Sequence, residues 1–84
     1  MSRLASLVTG VARSLADRPD EVHVVESDHR GTVLVEVYMA PGDLGRLIGR
    51  QGRTAQAVRT LVGIAAEHEG RRAQLEFRDG PPPA

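Results

Sequence analysis

Hydrophobic residues follow two rhythms along this chain. Leu4, Leu7, Val8, Val11 and Leu15 recur at three- and four-residue intervals and fit within about 100° of a helical wheel. They predict a core-facing helix with Ser2 as its N-cap and Pro19 as its stop. The period then changes to two. Glu21–Ser27 and Thr32–Met39 read as strands, and in the second Val33, Val35, Val37 and Met39 alternate with Leu34, Glu36 and Tyr38. The turn cluster Asp28-His29-Arg30-Gly31 predicts that these two strands form an antiparallel hairpin. Pro41-Gly42-Asp43 breaks the second strand and opens a short helix to about Ile48. A longer helix follows from about Arg53 to Glu69, with Ala55, Val58, Leu61, Val62 and Ala65 facing inward and Gly70 as its stop. Arg72–Arg78 returns to alternation, with Ala73, Leu75 and Phe77 on one face, and reads as a third strand. From Asp79 onward the chain has nothing to bury and is expected to be a disordered Pro-rich tail.

The expected order is α-β-β-α-α-β. With 84 residues it forms a single domain with a modest core. Residues 1–16 lack acids and have the look of an organelle presequence, but their periodicity assigns them to the fold. No segment reads as a membrane span.

Charge changes this picture more than composition does. The net charge is zero, with eleven acids against eleven basic residues, all of them Arg. Residues 44–66 carry Arg46, Arg50, Arg53 and Arg59 and no acid, a local +4, whereas residues 17–43 carry a local −5. The basic block coincides with Gly49-Arg50-Gln51-Gly52. A Gly-x-x-Gly turn lets backbone approach a phosphate chain, and the helix after it presents unpaired N–H groups and the positive end of its dipole. Arg53, in the first turn of that helix, is misplaced electrostatically unless an anion is near. Arg59 and Gln56 are expected on the solvent side.

Leu44-Gly45-Arg46-Leu47-Ile48-Gly49-Arg50-Gln51-Gly52-Arg53, together with the runs Asp17-Arg18-Pro19-Asp20-Glu21-Val22 and Ala40-Pro41, resembles small bacterial KH-domain proteins of the KhpA family. The resemblance covers about residues 3–79. It implies an α+β fold, a type II KH domain over residues 1–79 with a three-stranded mixed sheet and three helices packed on one face, followed by a tail over 80–84. It also implies binding of a short single-stranded RNA segment whose backbone is clamped by the glycine loop. The site residues it implies are Arg46, Ile48, Gly49, Arg50, Gln51, Gly52 and Arg53, with Leu44, Ile48 and Val37 as candidate floor for the bases. The resemblance further implies cytoplasmic work as a post-transcriptional regulator or RNA chaperone linked to bacterial cell elongation and division. As partners it implies a second copy or a larger KH/R3H protein, so a protein-interaction subunit with secondary RNA contact is the alternative function. Gly63, mid-helix on the polar side, is a place where another chain could approach.

Other chemistry does poorly. The chain has no cysteine, which excludes thiolate metal sites and cysteine nucleophiles. Tyr38 and Phe77 are its only aromatics, too few for a stacking platform. Gly45, Gly49 and Gly52 match neither a P-loop, since there is no Lys, nor the dinucleotide fingerprint. His23, His29 and His68 lack metal-ligand spacing. No nucleophile–base pair assembles, so the expectation is a protein without catalysis, metal or small-molecule cofactor.

Overall fold

The computed structural model describes residues 2–49 and 52–83. Helix α1 spans Arg3–Leu15, strands β1 and β2 span His23–His29 and Thr32–Met39, helices α2 and α3 span Pro41–Ile48 and Arg53–His68, and strand β3 spans Arg72–Asp79. The sheet order is β1-β2-β3, with β1 antiparallel and β3 parallel to the central β2. A hairpin needs only a tight turn, whereas the parallel return to β3 needs a long crossover, which α2 and α3 supply.

Local chemistry sets the boundaries. Ser2 caps α1 by accepting from the Ala5 N–H at 3.0 Å, and its hydroxyl donates to Glu26 Oε1 on β1 at 2.6 Å. The hairpin closes over Arg30 and Gly31, both with positive φ (+55° and +88°), the conformation that matches strand twist in two-residue loops. At the far end of α3, Gly70 takes φ +68°. There Arg71 N–H donates to the Ala66 carbonyl and Gly70 N–H to that of Glu67, each at 2.9 Å, the paired bonds of a Schellman stop.

The core lies between the sheet and the helices. Val33, Val35 and Val37 are fully buried on β2 beneath Leu4 and Val8 of α1, Leu47 of α2, Val58 and Val62 of α3, and Leu75 of β3. Register places Val33, Val35 and Val37 beside Ala73, Leu75 and Phe77, so the faces read from alternation pair as expected.

Several expectations shift. β1 begins at His23 rather than Glu21, because Pro19–Glu21 forms a 3-10 turn closed by the Val22 N–H on the Pro19 carbonyl. Asp79 belongs to β3, and Gly80 N–H donates to the Met39 carbonyl at 2.9 Å. Leu7, Leu15 and Leu61 are exposed, and Ala5, Ala12 and Ala66 are buried in their place. Small side chains let the helices lie close to the sheet, which turns the bulkier leucines to the flanks. Tyr38 is buried although it alternates with the core valines. Its hydroxyl donates to Glu36 at 3.3 Å, and Arg78 holds the same carboxylate at 3.1 Å. Burial and the Glu36 charge push the Tyr38 phenol above its usual range.

Candidate nucleic-acid interface

The turn between α2 and α3 is built on two glycines with different reasons for being glycine. Gly52 is the N-cap of α3 and sits in the left-handed region, φ +68° and ψ 22°, where a side chain is strained. Gly49 has an ordinary φ of −55°, so positive φ is the constraint at Gly52 and not at Gly49. At Gly49 the constraint is space. Its N–H donates to the Gly45 carbonyl at 2.8 Å, and a Cβ would meet that same oxygen at 3.1 Å.

Because Gly52 has no side chain, no described side chain caps α3, and the first turn of α3 contains no acid. The leading N–H groups of a sixteen-residue helix therefore have no side-chain cap among the described residues. Arg53 is exposed in that turn and pairs with no described carboxylate. Ile48, 48% exposed, puts an apolar side chain next to it. Arg50 and Gln51 lie outside the described residues. Val37 is fully buried and belongs to the core, not to a groove floor. Leu44 is half-buried and packs against the core, which leaves Ile48 as the accessible apolar residue of the three.

Two of the four arginines in the basic block are engaged elsewhere. Arg46, expected to flank the site, reaches Asp43 at 3.0 Å and Asp17 at 3.1 Å. Arg59, expected to be free in solvent, donates to the Leu75 carbonyl at 3.3 Å and stands over the Phe77 ring, 5.4 Å from its centre. Of the local +4 of the sequence, the charge of Arg46 is thus balanced by carboxylates, and that of Arg59 is tied to β3. Positive character at the turn is left to Arg53, the α3 N-terminus and, from the sequence, Arg50.

Residues 5–77 match the model of the KhpA/KhpB KH domain. The chain belongs to this family. It is 51% identical over 77 residues to the RNA-binding protein KhpA of Leifsonia xyli, covering 90% of this chain and 97% of that one. With the RNA-binding protein KhpA of Caldanaerobacter subterraneus the identity is 44% over 74 residues, covering 88% and 99%. Among solved structures, Era in complex with MgGDPNP and nucleotides 1506–1542 of 16S ribosomal RNA superposes with a TM-score of 0.64 at 18% identity. That match covers 93% of this chain and only 30% of Era, and it speaks to the fold alone. The KH-type α+β architecture is therefore shared, and the family is one of RNA-binding proteins rather than enzymes.

Sequence reading missed Asp43 as part of this region. It is the buried charged residue among those described, and its oxygens accept the N–H groups of Asp17 and Arg18, each at 3.0 Å. Those two backbone donors, helped by the Arg46 guanidinium against the cost of burial, hold its carboxyl below the usual range. Asp43 and Arg46 stand three residues apart on a helix, a spacing that favours pairing; that was the available signal. No helix among the described residues is long and apolar enough to cross a membrane.

Proposed function

We propose that this protein binds short single-stranded RNA, with Gly49 and Gly52 admitting the sugar-phosphate backbone to the N-terminus of α3. The observation that carries this reading is that helix start, without a side-chain cap among the described residues and flanked by exposed Arg53 and Ile48, in a family whose relatives bear the name RNA-binding protein. Arg50 and Gln51, between the two glycines in sequence, supply a cation and amide donors for phosphate oxygens. Ile48 offers van der Waals contact to a base; with no aromatic in the stretch 44–53, stacking adds little and binding is weak. Arg46 acts on this site indirectly. On this reading the protein works in the bacterial cytoplasm, where its RNA is made.

The test is Arg50→Asp combined with Gln51→Asp. Replacing one cation by two anions changes the local charge by three units within a few ångströms of the phosphates, where each pair is worth on the order of 1 kcal/mol even in water. Binding of a single-stranded oligoribonucleotide should disappear with the thermal melt unchanged. Unchanged binding with an unchanged melt overturns the site, and tighter binding of duplex than of single strand overturns the reading.

A second reading, self-association, is supported by exposed Leu7, Leu15, Leu61 and Ile64 on α1 and α3. Leu7 lines a surface depression with Ala65 and His68 of α3, rimmed by Arg3 and Glu69, so the two helices adjoin at a flank that is part apolar and part charged. Nothing lies within 4 Å of a Cβ added at Gly63, and the leucines, not Gly63, mark the face for a second copy. Sedimentation should find a dimer that Leu61→Glu disrupts; monomer alone at high micromolar concentration refutes it.

A further inference from the structure

Helix α2 delivers the glycine turn, yet it is weakly provided with its own anchors. It has eight residues, and its N-cap Ala40 offers no capping side chain. A helix this short does not hold itself together in water. Its buried residues are Leu47 and Asp43, one apolar and one charged. Asp43 Oδ1 accepts the Asp17 N–H and Oδ2 the Arg18 N–H, each at 3.0 Å, across more than twenty residues of sequence. Oδ1 also accepts from Arg46 Nη2 at 3.0 Å. The other arm of the guanidinium, Nη1, meets the exposed Asp17 carboxylate at 3.1 Å. The loop after α1 is thereby fastened to both turns of α2.

We propose that Asp43 is a positioning residue for the nucleic-acid site, locking α2 and the Arg46 guanidinium against residues 17–18 so that the glycine turn meets an RNA backbone in one orientation. The inference rests on the RNA reading above. With both arms of its fork committed to carboxylates, Arg46 serves this lock and is not a phosphate contact. Asp43→Asn keeps the shape but turns an amide group, itself a donor, toward one of the two backbone N–H donors. The lock is then broken without a cavity. A site whose supporting groups loosen loses affinity while its contacting groups stay in place.

The experiment compares wild type, Asp43→Asn and Arg46→Gln by amide hydrogen exchange without RNA, and by titration with a random-sequence single-stranded oligoribonucleotide at several salt concentrations. Asp43→Asn should speed exchange at residues 44–49 by about tenfold or more while the β2 amides keep their protection. Its RNA affinity should fall about three- to tenfold, with the slope of log K against log salt unchanged. Arg46→Gln should likewise leave the slope unchanged. A slope shallower by about 0.7 in Arg46→Gln would make the guanidinium a phosphate contact and overturn the assignment. Unchanged exchange and affinity in Asp43→Asn would overturn it as well. Should Asp43→Asn fail to fold, the Arg46→Gln slope decides. Should the wild type bind no RNA, the RNA reading falls, and faster exchange in Asp43→Asn still identifies the lock.

Discussion

Alanine at Gly52 and alanine at Gly63 are the same chemical change, and they should move the melting temperature in opposite directions. Gly52 holds φ +68° and ψ 22° at the start of α3. A left-handed conformation costs an L-residue about 1–2 kcal/mol. Reduced freedom of the unfolded chain returns about 0.4–1 kcal/mol of that, leaving a net loss near 1 kcal/mol. Crowding adds nothing, because the new Cβ would lie 3.7 Å from the Ile48 carbonyl oxygen, an ordinary contact. Gly63 lies inside α3 with open space around its Cβ position, so alanine there gains about 1 kcal/mol from helix propensity. In a domain of 84 residues, 1 kcal/mol corresponds to about 4–8 °C. The two variants should therefore melt roughly 10 °C apart, on either side of wild type. Gly52→Asn should fall between wild type and Gly52→Ala, since Asn tolerates this conformation better than Ala. Thermal denaturation by circular dichroism measures all three, and an RNA titration of each preparation should find affinity reduced in Gly52→Ala and retained in Gly63→Ala. Gly52→Ala melting at or above wild type would refute the left-handed start of α3, and with it the physical reason for a glycine there.

With Arg46 engaged by carboxylates, two cations, Arg50 and Arg53, remain for phosphate, so log K should fall against log salt with a slope near −1.4, about −0.7 per contact; a slope near zero would remove the basic turn from the binding surface. Arg59→Ala should destabilise the fold by about 1 kcal/mol through loss of the Phe77 ring contact and the Leu75 hydrogen bond, with the RNA salt slope unchanged; a stable variant with a shallower slope would make Arg59 a phosphate contact. Because the folded-state pKa of Asp43 is lowered from 3.8, its contribution is complete above that value and disappears as pH falls through the lowered one. Melting curves between about pH 5 and pH 2 should accordingly drop more steeply for wild type than for Asp43→Asn; parallel profiles would show that the carboxylate is not favoured by folding.

The sequence by itself determined the elements and their order. Period-two runs of valine can bury one face only as strands, and the glycines, Pro41 and Ser2 fix the ends of their elements through backbone sterics and capping that act within a few residues. The Gly-x-x-Gly turn was legible for the same reason. What the tertiary structure decided was the use of each side chain. Whether Leu61 or Ala66 points into the core depends on how closely α3 approaches the sheet, a matter of packing that a helical wheel does not contain. The basic block was legible as composition, yet its charge was not, because Asp43 and Asp17 neutralise Arg46 only once α2 folds against the loop after α1. Asp43 itself read as an ordinary acid at a helix start. Its burial and its two backbone donors come from residues more than twenty positions away, and electrostatics at that range in sequence exists only after the chain has folded.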